Sequence, residues 1–283
     1  MTKVLIVGSS SFVASGLGSI LIDADFEVDC FTRGITETKK DKTIYGNIME
    51  LATNVNFGCA YDIVINFVIL KDKGTKENIE YITSLIDFCK QKNVKQLIHF
   101  SSIMVYANNE KVIDEATEIE KITHKKGYGE VKIEVDKYLL SQKNLPFKVS
   151  LVRPGYVLAE NRPCPFVKRL PLGISIIKGN RKSVQPIVKR EDIHKALLNM
   201  IQLNSTEQVY LFTPSSQTTK YEFAKQNFGG IILPLPKWLI LGISGLLLKL
   251  KFIPVSLYVR VEGMYIESIY DSTQTEKVLN IKF

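Results

Sequence analysis

Residues 3–22, KVLIVGSSSFVASGLGSILI, decide the fold. KVLIV is a short apolar, β-branched run of the kind that lies buried on both faces of a parallel sheet. Gly8 interrupts it, and a helical pattern of apolar residues follows. Strand, glycine turn and helix form the entrance of a dinucleotide-binding fold, where amides at a helix N-terminus hold a pyrophosphate. The alternation continues through EVDCFT, DIVINFVI, a helical stretch around ENIEYITSLIDFCKQK, and QLIHFSS. After a helix over YGEVKIEVDKYLLSQ, the strands KVSLVRP and QVYLFTP complete the set. This βαβ rhythm predicts an α/β fold with a parallel sheet covered on both faces.

A second constellation carries chemistry. QLIHFSSIMVYA at residues 96–107 is followed by YGEVK at 128–132. Tyr128 and Lys132 are four residues apart, so on one helix they project from the same face. A free phenol titrates near ~10, and a neighbouring ammonium favours the phenolate, which makes Tyr128 an acid and base near neutrality. Ser102 would hold the carbonyl or hydroxyl being converted, and the dinucleotide entrance would place a hydride beside it.

With these motifs in this order, the chain resembles the extended short-chain dehydrogenases, a family that includes nucleotide-sugar epimerases, dehydratases and reductases. The family's GxxGxxG falls on Gly8, Ser11 and Ala14, its strand-end serine on Ser102, and its YxxxK on Tyr128 and Lys132. Asn78, Arg153-Pro154, Asp192 and the closing segment YDSTQTEKVLNI also match, with Asp271 as the expected N-cap. The resemblance implies a Rossmann-type doubly wound parallel sheet with a small C-terminal substrate-binding lobe. Residues 1–155, completed by 187–215, would bind the dinucleotide; 156–186 and 216–283 would build the lobe. Ser102, Tyr128 and Lys132 are the implied catalytic residues. Cofactor contacts are implied for Gly8, Ser10, Ser11, Phe12 and Val13 in the first turn. Further along they fall on Arg33, Asn47, Ile48, Phe67, Val68, Asn78 and Pro154, besides Tyr128 and Lys132. Substrate contacts are implied for Ser102, Met104, Tyr128, Tyr156, Asn161 and Arg181. Family members often pair through the helix bearing YGEVK, so a homodimer is expected.

The departures from the pattern are informative. Ser11 and Ala14 replace two glycines, which puts a side chain where backbone usually approaches the pyrophosphate. Asn47, after Gly46, replaces an acid that contacts adenine; its amide oxygen can still accept from the adenine amine. Val68 and Ile69 stand where the family has two alanines, so they would narrow the site. At the ribose-recognising end of EVDCFT stands Thr32, followed by Arg33, which favours NADP over NAD. The competing reading is a solvated arginine at a strand end, with Asp29 as the nearby acid.

Composition bounds the rest. A chain of 283 residues, 45% hydrophobic, suffices for a nucleotide-binding domain and a smaller lobe. The net charge of +8 is spread along the chain without interleaved aromatics, which reads as a solvated basic surface rather than a nucleic-acid interface. Within residues 167–190, Lys168, Arg169, Lys178, Arg181 and Lys182 are candidates to meet a diphosphate. Cys30, Cys59, Cys89 and Cys164 are scattered and read as reduced thiols of a cytoplasmic protein, the opening apolar run being too short for a signal peptide. His99, His124 and His194 share no ligand spacing, so packing roles and no metal are expected.

The most apolar stretch is ILPLPKWLILGISGLLLKLKFIPV, residues 232–255. Its core, Trp238 to Leu248, is too short for a crossing of roughly 20 residues. It reads as a helix packed on the substrate lobe, or alternatively as a membrane-interface or dimer surface flanked by Lys249 and Lys251. Dehydratases of the resembled family carry an Asp-Glu pair after the serine, where this chain has Ile103 and Met104. The expected reaction is therefore NAD(P)-dependent keto-reduction or epimerisation of a nucleotide-activated sugar. Competing readings are a dehydrogenase of a hydrophobic alcohol or ketone, sterol or lipid, and a non-enzymatic dinucleotide-binding scaffold.

Overall fold

The computed structural model describes residues 1–283 apart from 34–41, 54–56, 58–59, 108–109, 122–126, 159–163, 165, 217, 255–256, 259–260, 262–264 and 266. Asn161, His124 and Cys59 fall outside the described residues. Seven strands form one sheet: β1 Lys3–Val7, β2 Glu27–Thr32, β3 Lys42–Tyr45, β4 Ile63–Asn66, β5 Gln96–Phe100, β6 Lys148–Pro154 and β7 Val209–Phe212. Their order is β7-β6-β5-β4-β1-β2-β3, and every pair is parallel.

Period-two alternation sends each strand's side chains to two faces, and both are covered. Leu5, Val7, Val64 and Leu97 pack beneath α2 (Thr75–Gln91) and α3 (Tyr128–Ser141). Val4, Ile6, Ile65 and Ile98 pack beneath α1 (Leu17–Asp23), α4 (Arg190–Gln202) and the closing helix Thr273–Leu279. Burying each such side chain stabilises the fold by about 1.5–3 kcal/mol. β1 pairs with β4 on one side and β2 on the other, so the turns leaving β1 and β4 diverge at their carboxyl ends. That topological switch point is where open α/β sheets bind ligands.

Three expectations are corrected. Strand β3 lies between EVDCFT and DIVINFVI, where the sequence pattern marks no strand; it has four residues, sits at the sheet edge and leaves Tyr45 exposed, so its pattern is weak. The closing helix takes Ser272 as N-cap, while Asp271 accepts a hydrogen bond from Thr273 N at 3.0 Å one position earlier. The apolar tail helix, Lys237–Lys249, is covered on one side only: Ile240, Leu241, Leu247 and Leu248 are half-buried, Ser244 is its one buried residue, and Leu239, Ile243 and Leu246 are exposed. Among the described residues no helix is long and apolar enough to cross a membrane.

The smaller lobe is a three-stranded sheet of Val167–Arg169, Ile174–Ile177 and Ile231–Pro234, with Phe166, Val167, Ile177 and Phe223 at its core. Gly155 joins the lobe to β6. Its N–H donates to Phe212 O at 3.0 Å, and the following Tyr156 N–H donates to Pro186 O at 2.7 Å. A Cβ on Gly155 would stand 2.1 Å from that same carbonyl oxygen. Gly155→Ala is expected to cost about 2 kcal/mol or more in urea denaturation, because backbone must move. A change within about 0.5 kcal/mol would contradict this close approach.

Candidate functional site

At the switch point lies a cavity of about 920 Å³, within the size range of cofactor sites. Gly8, Ser10, Ser11, Phe12 and Val13 form one wall, and Arg33, Asn47 and Ile48 another. Phe67 and Val68 follow β4, and Ser102, Tyr128, Lys132 and Pro154 close the far side. Val68 and Ile69, expected to narrow the site, line an open cavity. Asn78, Met104, Tyr156 and Arg181 are not among the lining residues.

The first wall depends on Gly8. Its φ is +81°, and a Cβ there would approach Val68 Cγ2 to 2.6 Å. Glycine is thus required both by the left-handed backbone and by the contact between the β1 and β4 turns. Ser11 behaves differently from expectation. Its hydroxyl turns back and accepts from Ala14 N at 3.3 Å, so it supports the turn instead of standing out from it. The regular helix starts only at Leu17, after Gly16 at φ +91°, so residues 9–16 form a chain of turns, of which Ser10 to Val13 line the cavity. His194 of α4 lies 2.7 Å from Val13 O. Burial lowers its pKa, which favours the neutral ring that fastens this turn.

The turn after β4 hangs on a residue that sequence reading missed. Asn66 is fully buried; its Oδ1 accepts from Val68 N at 3.0 Å and from the Tyr81 hydroxyl at 2.7 Å. Its Nδ2 donates to His99 Nδ1 at 2.9 Å. A polar residue inside the run DIVINFVI was the available signal. Asn78 does related work one layer out, since it accepts from Leu70 N at 2.9 Å and donates to the carbonyls of Leu70 and Gly74. It shapes the loop that lines the cavity rather than the cavity surface.

Helix α3 carries Tyr128, Lys132 and Asp136 four residues apart, hence on one face. Lys132 is 2% exposed and donates to Phe100 O, with its Nζ 5.8 Å from the centroid of the Tyr128 ring. Burial lowers its pKa to about 8, against the pull of Asp136. The same causes act on Tyr128 with the opposite result to that expected. Burial, and then the Asp136 charge, raise its phenol to about 12, although the side chain is 43% exposed at the helix start. In this state the Tyr128 phenol is protonated at neutral pH. His99, facing Lys132 within the sheet, is held well below its ordinary pKa by burial and by that ammonium. Asp136 accepts from Arg153 Nε at 3.0 Å, and Arg153 in turn donates to the Tyr106 hydroxyl at 2.8 Å. Ser102 lines the cavity at the end of β5, and its Oγ accepts from Met104 N at 3.2 Å.

The cations expected at the mouth lie elsewhere. Arg169 stacks over Phe228 and Arg181 over Tyr221 on the smaller lobe, and none of Lys168, Arg169, Lys178, Arg181 and Lys182 lines the cavity. Lys71 and Lys73 do line it, from the loop that Asn78 supports. Their only sequence signal was the short KDKG run, which is ordinary for an exposed turn.

A profile of the NAD dependent epimerase/dehydratase family matches residues 4–207. The chain belongs to that family, and is an NAD(P)-dependent enzyme of the extended short-chain dehydrogenase type. No curated protein sequence gives a significant match. Among solved structures, a UDP-N-acetylglucosamine 4-epimerase from Bacillus cereus superposes with a TM-score of 0.70 at 13% identity, covering 100% of this chain and 94% of that one. MoeE5 in complex with UDP-glucuronic acid and NAD gives 0.67 at 16% identity, covering 99% and 93%. The human epimerase family protein SDR39U1 with NADPH gives 0.67 at 18% identity, covering 98% and 93%. At these identities the likeness establishes the fold.

The Lys132 shift has a consequence for stability. Unfolded, this lysine titrates at 10.5; folded, at about 8. Between those values the unfolded chain holds a proton that the folded chain has released, so the lysine's contribution to stability rises with pH across the window. Below it the full cost of the buried charge is present. Lys132→Met is expected to stabilise the protein at pH 7, by at most about 3 kcal/mol, with the gain shrinking from pH 8 to 10.5. A gain independent of pH in denaturant melts would contradict the assignment.

Proposed function

We propose that the protein is a keto-reductase or epimerase acting on a nucleotide-activated sugar. The observation that carries this reading is the convergence of Ser102, Tyr128 and Lys132 on the cavity that the Gly8 turn also lines. The lining fits a nicotinamide dinucleotide: glycine backbone at the β1 turn, Phe67 and Val68 at the β4 turn, and Pro154 at the end of β6. Such a dinucleotide, when bound, supplies hydride transfer. Tyr128, protonated at neutral pH, donates its proton to the substrate carbonyl oxygen during reduction. Ser102 orients that oxygen. Lys132 holds the ribose, and its charge favours the tyrosinate left behind. Asp136 and Arg153 keep α3 in register with β6.

The substrate class draws support from solved relatives of this fold, which include MoeE5 bound to UDP-glucuronic acid and to UDP-glucose. Ile103 and Met104 carry no titratable group, which argues for hydride chemistry without elimination of water. Arg33 at the cavity wall is exposed beyond the end of β2, a position suited to a 2′-phosphate, so NADP is the proposed cofactor. Pairing of two copies through α3 is likewise proposed, and static light scattering reports it.

Tyr128→Phe is expected to lower turnover by about 10²–10⁴-fold; a loss of only a few-fold would remove the proton-transfer role. Arg33→Ala is expected to weaken NADPH binding about tenfold or more while leaving NADH nearly unchanged. Equal weakening of both would reject the 2′-phosphate assignment.

A further inference from the structure

The tail helix α5, Lys237–Lys249, turns one apolar face outward. Its one buried residue is Ser244, whereas Leu239, Ile243 and Leu246, followed by Leu250 just past its end, are exposed. These four positions recur at helical spacing and form a single outward apolar stripe. Trp238, 76% exposed, stands beside its start, and Phe252, 74% exposed, beyond its end. The stripe does not end with the helix. Ile231 and Leu233 are exposed on the preceding strand, which pairs with Ile174–Ile177. The turn before that partner strand holds Leu172 at φ +63° with its side chain 93% exposed. Left-handed backbone is uncommon for leucine, and here it sets one more large apolar group on the same edge of the lobe.

The charge of this segment has one sign. Between Glu222 and Glu262 the chain contains no acidic residue, while Lys225, Lys237, Lys249, Lys251 and Arg260 fall within that interval. Lys237, Lys249 and Lys251 are exposed and flank the stripe at both ends. A second copy set against this face would bring like charges together with no carboxylate from the segment to pair them. An anionic surface would satisfy them. The helix is about 20 Å long, short of a bilayer's hydrocarbon core of about 30 Å, and a tryptophan with terminal lysines suits a helix lying in the headgroup plane.

We propose that α5, with Leu172, Ile231 and Leu233, docks the protein peripherally on an anionic bilayer. The inference stands independently of the catalytic reading. It is tested on the full chain by flotation with phosphatidylcholine vesicles and with phosphatidylcholine–phosphatidylglycerol vesicles. Trp238 is the single tryptophan, so its emission reports the same event. The expected result is water-exposed emission in buffer, then flotation and a blue shift on the anionic vesicles, weakened by salt. Leu246→Glu should lower vesicle affinity about tenfold or more, with an unchanged thermal melt because Leu246 is exposed. The pair Lys249→Glu and Lys251→Glu should lower it about tenfold on anionic vesicles. Absence of flotation and shift, or equal binding to both vesicle types, would overturn the proposal. So would emission already blue in buffer together with a dimer that Leu246→Glu splits, since a second copy would then cover the face.

Discussion

A lysine ammonium carried into the interface between α3 and the sheet is the constraint around which this site is arranged. Burying such a charge costs several kcal/mol unless partners offset it, and among the described residues Lys132 hydrogen-bonds to the carbonyl of Phe100 and sits over the Tyr128 ring. The remaining compensation is electrostatic and comes from its own helix, where Asp136 lies one turn further on. Asp136 in turn needs Arg153 from β6, and Arg153 rests on Tyr106. On the other side His99 stays neutral, so no second cation competes. The price of holding this charge is stability, and what it yields is a cation beside a phenol.

The same economy of contacts sets the opposite wall. The β1 turn can approach the β4 turn because Gly8 has no side chain, and the β4 turn keeps its path because Asn66 ties it to α2 through Tyr81 and to β5 through His99. Helix packing on the sheet, the mouth of the cavity and the position of Lys132 are therefore linked through a few buried polar groups. Such groups are costly if left unpaired, so a change at one of them is felt by the others.

The fold was legible because its signals are local. Five β-branched or apolar residues, a glycine and a helical pattern identify β1 and its turn, and the four-residue spacing of Tyr128 and Lys132 needs only a helix to be read. What escaped depends on register between distant segments. Asn66 is unremarkable until β4 is set beside β5, Lys71 and Lys73 look like loop solvation, and Asn78 matches a motif but acts through main-chain hydrogen bonds. Arg181 was placed near the substrate by its charge, whereas an aromatic neighbour, Tyr221, holds it on the lobe. The raised pKa of Tyr128 was missed because the sequence shows the helpful lysine and not the burial or the second acid, Asp136. For the tail helix, composition reported its apolarity and could not report that Leu239, Ile243 and Leu246 form an exposed stripe.

The most direct test of the central claim, that the switch-point cavity holds a nicotinamide dinucleotide beside Tyr128, is calorimetric titration of the purified protein with NADPH, NADP, NADH and NAD, repeated with Gly8→Val. Saturable binding of one equivalent is expected, selective for the phosphorylated pair and abolished by the valine, whose side chain would collide with Val68. Absence of saturable binding for all four, or binding that survives Gly8→Val unchanged, would contradict it.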